Sequence, residues 1–249
     1  MIAARLAFAL LAPLAMAAAP PAPPPMPDAS SGGRILVFSR TAGWRHDSIP
    51  VAVATLRSLA GEAGLAVDHT EDAGAFSPGN LARYRAVVFA NTTGDLLDAA
   101  QQAAMEDFVR SGGGFVGVHA AADTEYDWPW YGALVGAYFH SHPPGLQATR
   151  VRPERDGRAA GDPWPVTDEL YNYRHNPRGR VQVIATVDER DYAGGTMGED
   201  HPIVWCHPHD GGRAWYTGLG HDASVYADAR FAAHLARGLR YTARLSDDC

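Results

Sequence analysis

Short apolar runs recur at regular intervals through the first half of this 249-residue chain, and polar stretches separate them. Runs of this kind are typical of strands that are covered on both faces of a sheet. We therefore predict four buried strands, at 35–38, 65–69, 86–90 and 115–118.

Two stretches between these strands carry apolar residues at helical spacing. The first begins at Ser48, a suitable N-cap, and ends before Gly64, which suits the position just after a helix. The second begins at Asp98, which forms a capping-box pattern with Gln101, and ends at Gly112. Alternating strands and helices with right-handed crossovers predict a parallel sheet that is covered on both sides.

The second half of the chain has a different pattern. Residues 148–165 are polar and charged, and we predict irregular structure there. His207 and His209 flank a proline and are predicted to lie in a solvated turn. Asp228 is the predicted cap of a closing helix over 229–242. Further strands are predicted at 181–187, 203–206 and 213–217.

The N-terminal segment has the features of a targeting signal. Residues 1–18 combine one positive charge, an apolar stretch and small residues at the cleavage positions, and they predict a cleavable signal peptide. The apolar stretch is too short for a stable transmembrane helix, so no membrane insertion is expected after cleavage. Residues 19–33 form a Pro-rich linker, 34–243 one folded domain and 244–249 a C-terminal tail. The expected location is periplasmic or secreted.

Composition excludes several classes of function. The net charge of −7 argues against nucleic acid as a partner. All basic residues are arginines, so mechanisms that need a lysine Schiff base or a lysine-bound pyridoxal cofactor are excluded. Two cysteines provide neither a disulfide framework nor a cysteine zinc site. Cys206 is expected to be buried and Cys249 to be mobile at the chain end, and the sequence leaves open whether they pair.

One glycine-led strand places an imidazole where ligands bind in open α/β sheets. Gly112, Gly113 and Gly114 precede the apolar run 115–118, and His119 follows it directly. The carboxyl end of such a strand is the usual position of an active site. His119 is therefore the leading candidate for chemistry.

Several motifs occur in the same order as in a known family: Thr41–Ser48, Asn91–Thr93, Gly114–Ala121, Tyr126–Tyr131, Asp168–Tyr171, Asp200–Ile203 and Gly212–Tyr216 through His221. Together they resemble the ThuA-like (trehalose utilisation) domain family from about Arg34 to Tyr241. The resemblance implies an α/β fold of the class I glutamine amidotransferase-like type, a flavodoxin-like three-layer sandwich with a mainly parallel central sheet. It also implies a role in carbohydrate use, with disaccharides and their keto-sugar derivatives as the substrate class.

The fold analogy makes a sharp prediction about chemistry. Amidotransferases of this fold present a cysteine where this chain has His119, so cysteine-based glutaminase activity should be absent. The chain also lacks a Gly-x-Ser-x-Gly elbow, which disfavours a typical serine hydrolase.

The remaining candidate groups lie near predicted strand ends, where they can converge on one site. We assign His119, Asp123 and Glu169 as candidate catalytic groups. His140 and His142 are a candidate metal pair, because alternate residues of an extended segment share one side. The candidate substrate-binding residues are Arg45, His46, Asn91, Thr92, Tyr126, Trp128 and His221.

Two chemistries stay open at this point. Some of His119, His140, His142 and His221, with or without a carboxylate, could hold a divalent ion such as zinc, which would polarise a sugar oxygen or activate water. Alternatively, His119 could act as a general base without a metal. Either would serve hydrolysis, elimination or isomerisation of a small carbohydrate. The alternative from another class is a non-catalytic periplasmic sugar-binding or accessory domain.

Overall fold

The structure is a computed structural model that describes residues 33–249. The predicted signal peptide and all but the last residue of the predicted linker lie outside the described residues. Within the described part, no helix combines the length and apolar character needed to cross a membrane.

The described chain contains twelve strands and five helices. The strands are β1 (Arg34–Phe38), β2 (Ala66–Thr70), β3 (Ala86–Ala90), β4 (Gly114–Val118), β5 (Phe139–Ser141), β6 (Gln147–Arg155), β7 (Arg158–Ala159), β8 (Trp164–Asp168), β9 (Asn172–Tyr173), β10 (Gln182–Val187), β11 (His201–His209) and β12 (Gly212–Thr217). The helices are α1 (Ile49–Glu62), α2 (Pro78–Leu81), α3 (Ala99–Arg110), α4 (Pro129–Val135) and α5 (Ala229–Thr242).

Ten of the strands form one mixed sheet. Its order is β2-β1-β3-β4-β12-β11-β10-β6-β7, with β8 paired to β6, and β5 and β9 form a separate two-stranded sheet. Neighbouring strands from β2 to β12 are parallel, and the remaining pairs are antiparallel. The parallel part has the strand order of a flavodoxin-like sheet, with its topological switch point between β1 and β3. The predicted α/β class and mainly parallel core are confirmed.

Helices cover both faces of the parallel strands. Alternate residues of β1 point to opposite faces, so Ile35 packs in one core cluster and Leu36 in the other. The first cluster includes Leu56 of α1 and Leu235 of α5, and the second includes Phe108 of α3. These two apolar layers give the predicted three-layer sandwich.

The glycine turn before β4 has a steric explanation. Gly112 has a φ of 100°, which ends α3 at little cost. Gly113 and Gly114 are needed for close packing instead, because a Cβ would overlap the ring of Phe108 at Gly113 and the backbone of Thr242 at Gly114. These contacts set β4 tightly between α3 and α5, and they fix the direction in which the strand delivers His119.

Two expectations about the second half of the chain are wrong. Residues 148–165 include most of the strand β6, all of β7 and the first residues of β8, and along β6 the exposed Arg150 alternates with the buried Thr149 and Val151. His207 lies within β11 and is 8% exposed. The turn is instead the pair Asp210-Gly211, which both have positive φ angles and join β11 to β12 as a two-residue hairpin.

The C-terminal tail is attached to the sheet. Cys249 is buried and forms a disulfide with Cys206 of β11, with the two Cα atoms 6.3 Å apart. Asp248 forms ion pairs with Arg155 and Arg237. The expectation that Cys249 is mobile is therefore wrong, because the tail packs against α5 and the sheet. No free thiol is present in the described chain.

Candidate metal centre

Loops from the carboxyl ends of the parallel strands meet at one edge of the sheet. His46 lies in the loop after β1, His119 follows β4 directly, and His221 follows β12. A fourth residue, Glu169, arrives from the antiparallel part of the sheet, immediately after β8. One ligand atom from each of these four side chains lies within 4.8 Å of the others.

His119 is fixed by its backbone and by one ring nitrogen. Its φ of 46° places it in the left-handed region, which is unusual for a residue other than glycine and marks a sharp turn at the end of β4. The side chain is fully buried, and Nδ1 lies 2.8 Å from the carbonyl oxygen of Gly218. A carbonyl can only accept, so Nδ1 carries the proton and donates it, while Nε2 faces the cluster and the carboxylate of Glu169.

Glu169 connects the histidines. Its Oε2 lies 3.4 Å from Nε2 of His119 and 3.2 Å from Nδ1 of His221, and its Oε1 lies 3.2 Å from Nδ1 of His142. Burial alone raises the pKa of the carboxyl, but hydrogen bonds with His119 and His221 outweigh it and hold this pKa well below its usual range. The carboxylate therefore stays ionised, and its bond with His221 raises the pKa of that imidazole.

His46 has a buried ring nitrogen that no group of the described protein satisfies. The side chain is 4% exposed, and its Nδ1 is buried without a hydrogen-bond partner in the described protein. Burial, together with the neighbouring His119 and His221, lowers the pKa of His46 to about 3. The ring packs edge-on against both of these imidazoles, with centroids 4.9 and 5.0 Å away. A neutral imidazole with an unused nitrogen beside two others and a carboxylate is a donor set that suits a first-row divalent ion.

A buried carboxylate positions the His221 loop. Asp168, the last residue of β8, accepts the backbone N–H of Gly220 at 2.7 Å and that of Asp222 at 2.9 Å. These two bonds bracket His221. Adjacent carboxylates thus have different tasks, since Glu169 enters the cluster and Asp168 holds the backbone of one of its members.

Asn91 performs a similar task after β3. Its side-chain amide donates to the hydroxyl of Ser48 and to the carbonyl of Gly220, at 2.9 and 3.0 Å. The Ser48 hydroxyl donates to the same carbonyl at 2.9 Å, so Ser48 begins α1 without the side-chain cap expected of it. Asn91 is fully buried and ties three loops of the site together.

Asp123 and Tyr126 lie at the rim of the cluster. The Tyr126 hydroxyl donates to Oδ1 of Asp123 at 2.6 Å, and the guanidinium of Arg174 lies 4.2 Å from the centre of the Tyr126 ring. Burial raises the pKa of the Asp123 carboxyl, against the lowering effects of the Tyr126 bond and of the nearby His119. Asp123 is therefore a half-buried acid within electrostatic range of the cluster.

The other predicted site residues are not brought into the cluster. Arg45 pairs with Glu71 at 2.7 Å on the surface. Thr92 is buried and shares a hydrogen bond with Thr124. Trp128 packs in the helical layer, where its indole N–H donates to Glu106 of α3. In the predicted metal pair, His142 reaches Glu169 whereas His140 is exposed on β5.

Sequence reasoning placed the four cluster residues in different roles. The sequence predicts His119 and Glu169 as catalytic groups and His46 and His221 as substrate-binding residues, with His119 and His221 also among the alternative metal ligands. The shared signal is position, because each of the four follows a strand at or near its end. For Glu169 that signal is hidden, since the sequence pattern predicts no strand at 164–168.

Solved structures with a similar fold include two ThuA-like proteins. One from Bacteroides uniformis is 21% identical with a TM-score of 0.71, covering 88% of this chain and 94% of that one. One from Parabacteroides merdae is 20% identical with a TM-score of 0.70, covering 86% and 90%. A β-galactosidase from Rahnella sp. R3 is 16% identical with a TM-score of 0.54, and the match covers 87% of this chain but 32% of that one. These likenesses concern the fold.

Comparison at the level of sequence identifies the family. No curated protein matches the chain. The family model described as ThuA, trehalose utilisation, matches residues 34–242, which is nearly all of the described chain. The chain therefore belongs to the ThuA trehalose-utilisation family, as its motifs predict.

Proposed function

We propose that this protein is a metal-dependent enzyme of carbohydrate utilisation that acts on a disaccharide or a keto-sugar derivative. A first-row divalent ion, with zinc as the first candidate, would be held by His46, His119, Glu169 and His221. The observation that carries the proposal is a group of four side chains that each offer a ligand atom within 4.8 Å of the others, together with a buried Nδ1 on one of them, His46, that has no hydrogen-bond partner in the described protein. Leaving such a nitrogen unsatisfied costs about 1–3 kcal/mol unless a ligand satisfies it.

The surrounding residues support chemistry on a sugar oxygen. When bound, the ion would polarise a keto or hydroxyl oxygen or lower the pKa of water. Asp123 is the proton-transfer group that we assign, because it is half-buried, has a raised pKa and is oriented by Tyr126. The disulfide between Cys206 and Cys249 supports a mechanism without a thiol nucleophile.

The test uses full-length mature protein purified without a histidine tag. Metal content is measured by mass spectrometry, and turnover of trehalose and 3-keto-trehalose is measured before and after chelation. We expect close to one ion per chain and activity that falls on chelation and returns with zinc. Full activity in metal-free protein would overturn the metal assignment. Binding of these sugars without turnover would instead support the sugar-binding alternative and overturn the enzymatic one.

We further propose that the protein is exported to the periplasm or beyond. The signal-like pattern of residues 1–18 and the Cys206–Cys249 disulfide both suit an oxidising compartment. Expression in a Gram-negative host followed by fractionation and N-terminal mass spectrometry tests this. The expected result is a periplasmic chain that begins near residue 19, and an intact Met1 in the cytoplasmic fraction would contradict it.

A further inference from the structure

Two large apolar side chains are exposed in the described chain, and both belong to loops of the candidate metal centre. Trp44 is 73% exposed and precedes the cluster residue His46 by two positions. Leu146 is 43% exposed and follows His142, which contacts Glu169, in the loop before β6. Single exposed apolar residues are common on protein surfaces. Their restriction to two loops at one site is the unusual feature here.

The backbone at Trp44 is held firmly although its side chain is exposed. The carbonyl of Trp44 accepts the hydroxyl of Thr93 at 2.9 Å, and the N–H of Ala42 donates to the carbonyl of Thr93 at 2.8 Å. Gly94 has a φ of 77°, and a Cβ there would lie 3.1 Å from Ala42, so the two loops pack closely. An indole on such a loop is presented in a defined place at little further entropic cost.

The other tryptophans have structural contacts that Trp44 lacks. Trp128 and Trp130 stack on each other, Trp164 lies near the guanidinium of Arg230, and Trp205 and Trp215 are buried in the sheet. Within residues 33–249, no aromatic ring or guanidinium packs on Trp44. Packing of the fold therefore does not explain this residue.

We infer that Trp44 is the stacking platform for the second sugar ring of a disaccharide whose first ring lies at the metal centre. The inference rests on the proposed function for the class of ligand. The C–H face of a pyranose is apolar and covers an aromatic face well, which removes apolar area from water. Two residues span at most about 7 Å of chain, so a ring at Trp44 and a ring beside His46 can belong to one disaccharide.

Binding calorimetry with trehalose and glucose tests the inference on full-length mature protein, with the variants Trp44→Ala and Trp44→Phe. Trp44→Ala should weaken trehalose binding roughly 10- to 100-fold and leave glucose binding unchanged, and Trp44→Phe should retain most of the affinity. Iodide quenching of tryptophan fluorescence gives a second readout, since trehalose should protect the exposed indole of the parent protein. Trp130→Ala is the matched control, because Trp130 lies beside the β11–β12 hairpin at the opposite edge of the sheet.

The outcomes separate this inference from the proposed function. Trehalose binding that is the same in Trp44→Ala and the parent protein overturns the stacking role. So does a parent protein that binds trehalose no better than glucose. Metal content and chelator-sensitive turnover are measured in separate assays. If the protein shows neither, but Trp44→Ala weakens trehalose binding, the proposed enzymatic function is overturned and the stacking role of Trp44 is retained.

Discussion

Nε2 of His119 lies 3.4 Å from Oε2 of Glu169, although one residue ends a central parallel strand and the other follows an antiparallel strand at the margin of the sheet. The proton on Nδ1 of His119 is committed to the carbonyl of Gly218. The geometry thus turns Nε2 of His119 and a carboxylate oxygen toward the same point. Substitutions in this site and in the core should therefore have separate, measurable effects on metal binding and on stability.

Removing His46 should abolish metal binding without unfolding the protein. Because Nδ1 of His46 has no partner in the described protein, His46→Ala leaves no hydrogen-bonding group stranded there. We expect metal affinity to fall by more than the roughly 10- to 100-fold loss that is typical when a residue that only orients a ligand is changed. The unfolding free energy of metal-free protein should stay within about 1 kcal/mol, because the cavity and the relieved polar group offset each other.

Metal titration and urea unfolding of the His46 variant check this prediction. His140→Ala is the matched control, since His140 is exposed on β5 outside the cluster. It should bind metal like the parent protein. Equal metal affinity in all three proteins would show that the ion, if bound, does not use His46.

Asp168→Asn should loosen the His221 loop. The carboxylate accepts two backbone N–H groups, whereas an amide can offer its single oxygen to one of them and turns an N–H toward the other. We expect a loss of about 1–3 kcal/mol in unfolding free energy and weaker metal binding. Urea unfolding and metal titration measure both effects. Asp222→Asn is the control because Asp222 is partly exposed and caps a local turn at Ser224, and a similar loss there would argue against a special role for Asp168.

The sequence predicted the parallel half of the sheet well and its margin poorly. Strands such as β3 and β4 are buried on both faces, so their apolar runs are conspicuous, and the Asp98–Gln101 capping box of α3 is present as predicted. The strands β6 and β8 expose one face, so each has only a few buried apolar residues, and the charged residues of β6 conceal its alternation. The site residues divide in the same way, since His119 follows a parallel strand and Glu169 follows a strand at the margin of the sheet.

The place of the site could be predicted from strand ends, but the roles of its residues could not. His119 was identifiable because it follows a parallel strand. Asp168 holds the His221 loop whereas Glu169 enters the cluster. This difference depends on how β8 orients its last residues, which is set by tertiary packing. The same holds for Asn91, whose buried hydrogen bonds with Ser48 and Gly220 are long-range.

His207 should make the fold sensitive to acid. Burial, with a smaller effect from His209, lowers the pKa of His207 to about 4, whereas an unfolded histidine titrates near 6.5. Between these values the unfolded chain binds a proton that the folded chain does not, so stability falls as pH falls from about 6.5 to about 4. The full contribution is roughly 3 kcal/mol, and stability is unaffected by this group above that window.

The variant His207→Gln isolates this effect. Glutamine stays neutral and can still donate to the carbonyl of Ala133, which His207 Nε2 contacts at 3.1 Å. Urea unfolding at pH 7.5 and pH 4.5 should therefore show a smaller loss on acidification in the variant than in the parent protein. An equal loss in both proteins would assign the acid sensitivity to other groups.

The disulfide between Cys206 and Cys249 should contribute strongly to stability. It closes a loop with a sequence separation of 43 residues, which in the chain-entropy description corresponds to about 4 kcal/mol. Cys249→Ser should lower the unfolding free energy by up to this amount and release the tail, including the ion pairs of Asp248 with Arg155 and Arg237. Thermal unfolding with and without reductant measures the effect. Reductant should destabilise the parent protein and leave the variant unchanged, because the variant has no bridge to break; an equal shift in both proteins would show that reductant acts on something other than this bond.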